Sequence, residues 1–395
     1  MLHATNVKIA EYNPIISMNV YITKAAKFLP NDPVGNDEME AYLGMIDGKP
    51  SKARRIVLRR NGIKQRYYAL DKNGRVTHTN AQMAANAIRG LFDDNLTVDD
   101  IDLLACGTTS TEQLLPSHGV MVHGELGGQR NIEVVSFAGS CCTGVDAMKY
   151  ACMSVETGQA KNAVAAASER LSPWMRASYF QKESDHLALL ESQPMLAFEK
   201  EFLRWMLSDG AFALLFQGKP NESDLSLRVD WIDITSFANT KETCMYAGAE
   251  KDTDGSLIGW TSFPAQEWLN RSLFALKQDT RMLSESIVTL GVDFLLQLAD
   301  KHHFCPDDID WFLPHLSSML FKDKILEETK ERGFFIHEEK WFLNLPKVGN
   351  IGSASAFAMI EELLYSGRLK KGQKILVMVP ESARFSYCYC MLTVV

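Results

Sequence analysis

The sequence predicts an α/β protein of two similar halves, residues 1–220 and 221–395, each a mostly parallel sheet covered by helices. Two observations predict it: an internal repeat, and the same alternation of helical and strand-like patterns around each copy. Asp99-Asp100-Ile101-Asp102 returns as Asp307-Asp308-Ile309-Asp310, an offset of 208 residues (307 − 99). Each copy follows an apolar helical pattern, Met83 to Leu91 or Ile287 to Leu298, and then a lone apolar residue, Leu96 or Phe304. Each then runs into a short apolar strand, Leu103 to Cys106 or Trp311 to Leu313. Further on, Gly158 and Gly367 each close a helical stretch where a C-cap glycine belongs, before the strand-like Asn162 to Ala167 and Ile375 to Val379. Four matching residues are a weak signal; the shared order of elements makes them a repeat.

Length and composition agree with a large soluble unit. The chain has 395 residues, 46% hydrophobic and 23% charged, enough for a substantial core. No continuous apolar run has the length of a membrane span, and the first residues lack the pattern of a signal peptide. Eight cysteines without CxxC or metal-like spacing predict reduced thiols, a cytoplasmic location and no metal site. A net charge of −8 argues against nucleic-acid binding through bulk charge. The stretch from Lys52 to Arg66 nevertheless carries Arg54, Arg55, Arg59, Arg60 and Lys64 with no acidic residue between them. It is either a solvated basic face or a docking surface for an anionic phosphopantetheine carrier or coenzyme A.

Chemistry is expected where equivalent loops of the two halves meet. Ile132 to Phe137 reads as a strand, followed by the small-residue turn Ala138-Gly139-Ser140 and a helix beginning near Cys142. A thiol there faces unpaired N–H groups and the positive end of the helix dipole, which favour thiolate and can hold an oxyanion. Buried packing is the plainer role for a cysteine, and Cys141 is expected to be only a packing neighbour. Under the repeat, Cys142 falls beside Asn350-Ile351, and Thr108 falls beside His315 or Leu316. Packing of the halves about a pseudo-twofold axis would bring Cys142, His315 and Asn350 together at the carboxyl ends of strands. His315 could exchange protons and, with Asn350, donate hydrogen bonds to a thioester oxygen. Asn350 could equally be a helix cap. His118, His123, His302 and His303 are expected on helix surfaces or loops.

Cys142-Thr143-Gly144, Pro314-His315 and Gly349-Asn350-Ile351-Gly352-Ser353-Ala354-Ser355 resemble the three active-site motifs of the β-ketoacyl-ACP synthase III family. Asn61-Gly62-Ile63-Lys64-Gln65-Arg66, Leu115-Pro116-Ser117, Ser168-Glu169 and Ser208-Asp209-Gly210-Ala211 resemble further segments of it, in the family's order. The resemblance implies a thiolase fold in five αβαβα layers, a homodimer and a Cys142–His315–Asn350 triad. It implies no tightly bound cofactor, only phosphopantetheine-linked substrates presented by an acyl carrier protein or coenzyme A. It also implies that Leu115 reaches the partner subunit's acyl pocket, and it makes Arg60 and Arg66 candidates for substrate binding.

The chain departs from the family in three places. Ile56 stands where the family has the tryptophan that stacks on coenzyme A, which favours a carrier-protein donor. Pro380 to Tyr387 replaces a glycine-rich loop that supplies a backbone oxyanion donor, and Ala383 is the candidate for that role. The segment about 177–202 is an insertion, either a surface element or a wall of a substrate pocket. These departures resemble the divergent synthases of secondary metabolism, such as those making dialkylresorcinol-type pigments. The expected reaction loads an acyl group onto Cys142 and condenses it with a β-keto- or malonyl-type thioester. Acyl transfer to oxygen or nitrogen, and a non-catalytic partner subunit, remain the alternatives.

Overall fold

Both copies of Asp-Asp-Ile-Asp clamp the start of a strand in the computed structural model, which describes residues 18–179 and 203–395. Asp102 accepts the N–H groups of Lys161 and Asn162 at 2.8 and 3.0 Å, and Asp310 accepts that of Lys374 at 2.8 Å. Asp100 and Asp308 each tie back to the residue that opens their short 3-10 turn, Thr97 and Cys305. The repeated residues therefore do repeated work. The 177–202 insertion, beyond Tyr179, lies outside the described residues.

Nine strands form the main sheet: β1 (Tyr21–Phe28), β2 (Leu103–Thr108), β3 (Glu133–Ala138), β4 (Asn162–Glu169), β5 (Gly210–Gln217), β6 (Leu227–Ser236), β7 (Trp311–Pro314), β8 (Lys374–Glu381) and β9 (Ser386–Val394). Their order is β3-β2-β4-β5-β1-β6-β9-β8-β7, which reads alike from either end: β1 matches β6, β2 matches β7, β4 matches β8 and β5 matches β9. The counterpart of β3 is reduced to an isolated parallel bridge between Phe312 and Trp341. β1 and β6 join the two halves through a short ladder, Tyr21↔Arg228 and Ile22↔Leu227, extended by the Val229 N–H donating to the Val20 carbonyl at 2.8 Å.

The expectation of mostly parallel sheets needs correcting. β2 pairs in parallel with β3 and β4, and β7 with β8, but β5, β1, β9 and β6 pair antiparallel with their neighbours. The turn from β8 to β9 spans only Ser382 to Phe385. That is long enough for a hairpin and far too short for a parallel crossover.

Among the described residues, the helices of nine or more residues are α1 (Lys52–Asn61), α2 (Asn80–Arg89), α3 (His118–Leu126), α4 (Thr143–Glu156), α5 (Thr280–His302), α6 (Leu320–Glu331) and α7 (Ser355–Leu364). Strand alternation assigns the layers. Leu104, Cys106, Val164 and Ala166 point outward to a core with α2 and α3. Their neighbours Leu103, Ala105, Ala163 and Ala165 join Ile375, Val377, Cys388 and Cys390 in a central core around α4 and α7. Leu376, Met378, Tyr387 and Tyr389 point to a third core with α5 and α6. The order is thus helices, sheet, buried helices, sheet, helices. α5 is long and apolar enough, by length and composition, to cross a membrane, but Leu283, Ile287, Val292 and Leu295 bury its apolar side in that third core.

Candidate active site

The turn after β3 leads into α4 with Cys142 as the N-cap residue, 4% exposed. The Thr143 N–H and hydroxyl both donate to the Ser140 carbonyl, at 3.0 and 2.8 Å, and tighten the turn. From the other half, His315 follows β7 and donates its backbone N–H to Met378 at 2.8 Å. Its ring is buried and forms no hydrogen bond among the described residues; burial pushes its pKa down to about 4. Asn350 is held by Met206 and Ser208 through its backbone. Its Oδ1 accepts the Gly352 N–H at 3.0 Å, which leaves the amide nitrogen as the donor it can offer a ligand.

His315 and Asn350 line one cavity. Thr109, Ser140 and Cys141 form its polar end with them, while Leu283, Ile287, Val288, Phe321 and Ile325 of α5 and α6 form an apolar wall. The structure brings Cys141, not Cys142, to this wall, so Cys141 is more than the packing neighbour expected. Cys142 lines an adjoining cleft with Asp146, Glu381 and Ser386, and its Sγ lies 3.5 Å from the Val379 carbonyl oxygen. Ser140 borders both spaces.

The electrostatics also differ from expectation. The helix start favours thiolate, but burial outweighs it: the Cys142 thiol is raised well above the ordinary thiol range, with Cys388, Glu381 and Cys141 adding to the shift. Burial raises Cys141 to about 12. Both thiols are protonated at rest.

Several candidates prove structural. Ala383 is corrected as an oxyanion donor, because its N–H already donates to Glu381 Oε1 at 3.0 Å. Ser382, one residue earlier, lies on the cavity wall with Pro380. Arg66 is corrected as a substrate ligand: it is fully buried and donates to Asn36 Oδ1 at 2.7 Å and to the Trp205 carbonyl at 3.4 Å. Arg60 is exposed at the end of α1, and its carbonyl accepts from Ser318, beside Ser317 of the cavity wall. Leu115 is 86% exposed and does not line this cavity. His118 is not on a surface: it is buried, with Nε2 3.0 Å from Ser168 Oγ. Glu381 went unnoticed in the sequence, although it stands 212 residues (381 − 169) after Glu169 at the end of the matching strand.

Comparisons with known proteins agree with this fold. The family profile described as 3-oxoacyl-[acyl-carrier-protein (ACP)] synthase III C terminal matches residues 299–380, the stretch that holds His315 and Asn350. A β-ketoacyl-[acyl-carrier-protein] synthase III of Chlorobaculum tepidum is 23% identical over 376 residues, covering 94% of this chain and 98% of its own. Xanthomonas campestris OleA, solved as a cysteine-to-serine variant with bound lauric acid and lauroyl-CoA, superposes with a TM-score of 0.72 at 19% identity, covering 95% of this chain and 99% of its own. AbyA1, a tetronic acid condensing enzyme, superposes with a TM-score of 0.71 at 18% identity, over 95% of this chain and 99% of its own. The fold is the thiolase fold.

Proposed function

We propose that this chain, a divergent member of the β-ketoacyl-[acyl-carrier-protein] synthase III family, is a condensing enzyme that carries an acyl group on Cys142. It joins that group to a β-keto- or malonyl-type thioester. The observation that carries the reading is the convergence of His315 and Asn350, from separate loops of one half, on an apolar cavity at the start of the other half's cysteine-bearing helix.

Cys142 attacks the acyl thioester, and the tetrahedral oxyanion is held by N–H groups at the start of α4 and in the Ser382 region. The carrier thiol leaves. The second thioester then enters the cavity and loses carbon dioxide if malonyl-type, or an α-proton to solvent if β-keto-type, while neutral His315 and the Asn350 amide donate to its carbonyl oxygen and stabilise the resulting carbanion. Bond formation to the acyl carbon frees the Cys142 sulfur. The depressed pKa of His315 suits this role, since the imidazole donates without carrying a charge near pH 7. The apolar wall suits an alkyl chain, as does the lauroyl-CoA bound by OleA.

Donors are carrier-linked or coenzyme A thioesters, and the exposed Arg55, Arg59 and Arg60 of α1 suit an acidic carrier protein. The active unit is a homodimer: β3 is an edge strand with half-buried Val134, Val135 and Phe137, and Leu114 and Leu115 project 74% and 86% exposed nearby in the chain. One observation favours a second reading, in which Cys141 is the nucleophile, since it is the thiol on the cavity wall. Peptide-mapped mass spectrometry after incubation with acyl thioesters separates the two. We expect the adduct on Cys142, lost in Cys142→Ala and kept in Cys141→Ala; an adduct on Cys141 selects the second reading, and no adduct rejects both.

A further inference from the structure

Glu381 is a half-buried carboxylate that the scheme above leaves unused. It ends β8, where alternation sends Met378, Pro380 and Ser382 to the cavity of His315 and Asn350 and sends Glu381 to the cleft of Cys142. Its Oε1 accepts the N–H groups of Ala383 at 3.0 Å and Arg384 at 3.3 Å, which fixes the side chain in that cleft.

The internal symmetry gives the same placement. Glu169 and Glu381 end equivalent strands, and Thr143 and Ser355 open equivalent buried helices, each pair 212 residues apart (381 − 169; 355 − 143). Glu169 reaches the helix start of the opposite half, accepting the Ser353 N–H at 3.1 Å and its hydroxyl at 2.7 Å. Cys141 is the residue 212 before Ser353 (353 − 141). By that symmetry Glu381 is placed towards Cys141, the neighbour of Cys142, as Glu169 is placed towards Ser353.

The groups that face Glu381 are Asp146 of α4, which has Lys149 beside it, Cys141 and Cys142 at the turn, Ser386, Tyr387 and Cys388 on β9, and the Arg384 N–H of its own loop. Burial raises Glu381 above the usual carboxylate range. A thiol that does not ionise at rest needs a base as it attacks, and His315 faces the other space.

We propose that Glu381 is the proton acceptor for Cys142 during acyl loading, an inference that rests on the acyl-enzyme reading above. As the bond from Sγ to the acyl carbon forms, the Sγ–H proton passes to the Glu381 carboxylate. As the bond from the acyl carbon to the donor sulfur breaks, that proton passes to the departing thiolate, which leaves as a thiol.

The test is single-turnover acylation of the full chain by hexanoyl-N-acetylcysteamine, followed by intact mass across pH, for the parent, Glu381→Gln and Glu381→Asp. A proton acceptor predicts Glu381→Gln slower than the parent by about 100-fold, with Glu381→Asp in between. It also predicts a parental rate that rises with pH as Glu381 ionises, a limb absent from Glu381→Gln. A role limited to fastening the loop reverses the order, because glutamine keeps an oxygen for Ala383 and Arg384 while aspartate falls short. Glutamine outpacing aspartate, or retaining the pH limb, overturns the proposal. Equal rates in parent and Glu381→Gln reject Glu381 alone. No adduct on the parent rejects the acyl-enzyme reading, and this proposal with it.

Discussion

His118 and His315 share one physical state: each is buried and held near a pKa of about 4. An unfolded histidine titrates near 6.5, so between those values the unfolded chain binds protons that the folded chain excludes. Their stability contribution is complete above about pH 6.5 and is lost as pH falls towards 4. Asp209 runs the other way, because burial raises it to about 6 and it keeps a proton that the unfolded chain releases. Comparing parent with His118→Gln isolates one histidine. Urea titrations should show the parent losing about 2 kcal/mol more stability than the variant between pH 7.5 and pH 5; parallel losses would contradict this. Single residues were also the scale at which the sequence misled. Cys142, His315 and Asn350 were legible as a motif set, whereas the cavity side of Cys141 and the burial of Arg66 and His118 were not. A side chain's direction depends on the turn that carries it, and a basic residue in a basic run gives no sign that its neighbours close over it.

At the level of elements, the repeat was legible because equivalent helices and strands need equivalent clamps, and Asp102 and Asp310 kept the same residue for the same bond. Strand direction was less legible, since an apolar strand facing two layers carries no mark of orientation; the tight turn before Ser386 decides it for β9. The meeting of the two buried helix starts makes the sharpest demand. A Cβ on Gly144 would lie 2.2 Å from the Ser353 carbonyl oxygen, and backbone cannot yield as a flexible side chain does. Gly144→Ala must push the start of α7 away from α4, and with it the Asn350 loop from the cysteines. We expect a loss of about 3 kcal/mol in urea titrations, in the range for overpacking, and acylation slowed well beyond any change explained by unfolded protein. Full stability with full activity would show that the contact is looser than this.

For the whole molecule, the homodimer proposed above raises the question of how two centres would share one assembly. The chain presents Leu115 well outside its cavity, on the segment between β2 and α3, and at the end of the sheet it presents β3, an edge strand unpaired on one side among the described residues. An edge with half-buried Val134, Val135 and Phe137 is a surface that a second copy can complete by pairing. Light scattering should therefore give about twice the 44.3 kDa of the chain. A mixed dimer tests whether Leu115 then acts across the interface. One subunit carries Cys142→Ala with Leu115→Phe, and the other is unaltered, so the only working Cys142 faces the partner's enlarged side chain. If Leu115 closes the partner's acyl pocket, this dimer should accept shorter acyl chains than the parent. Placing Leu115→Phe instead on the subunit with the working Cys142, beside a Cys142→Ala partner, should leave the parental chain-length profile. The opposite pattern would place Leu115 at its own subunit's centre, and no change in either dimer would remove it from the acyl pocket altogether.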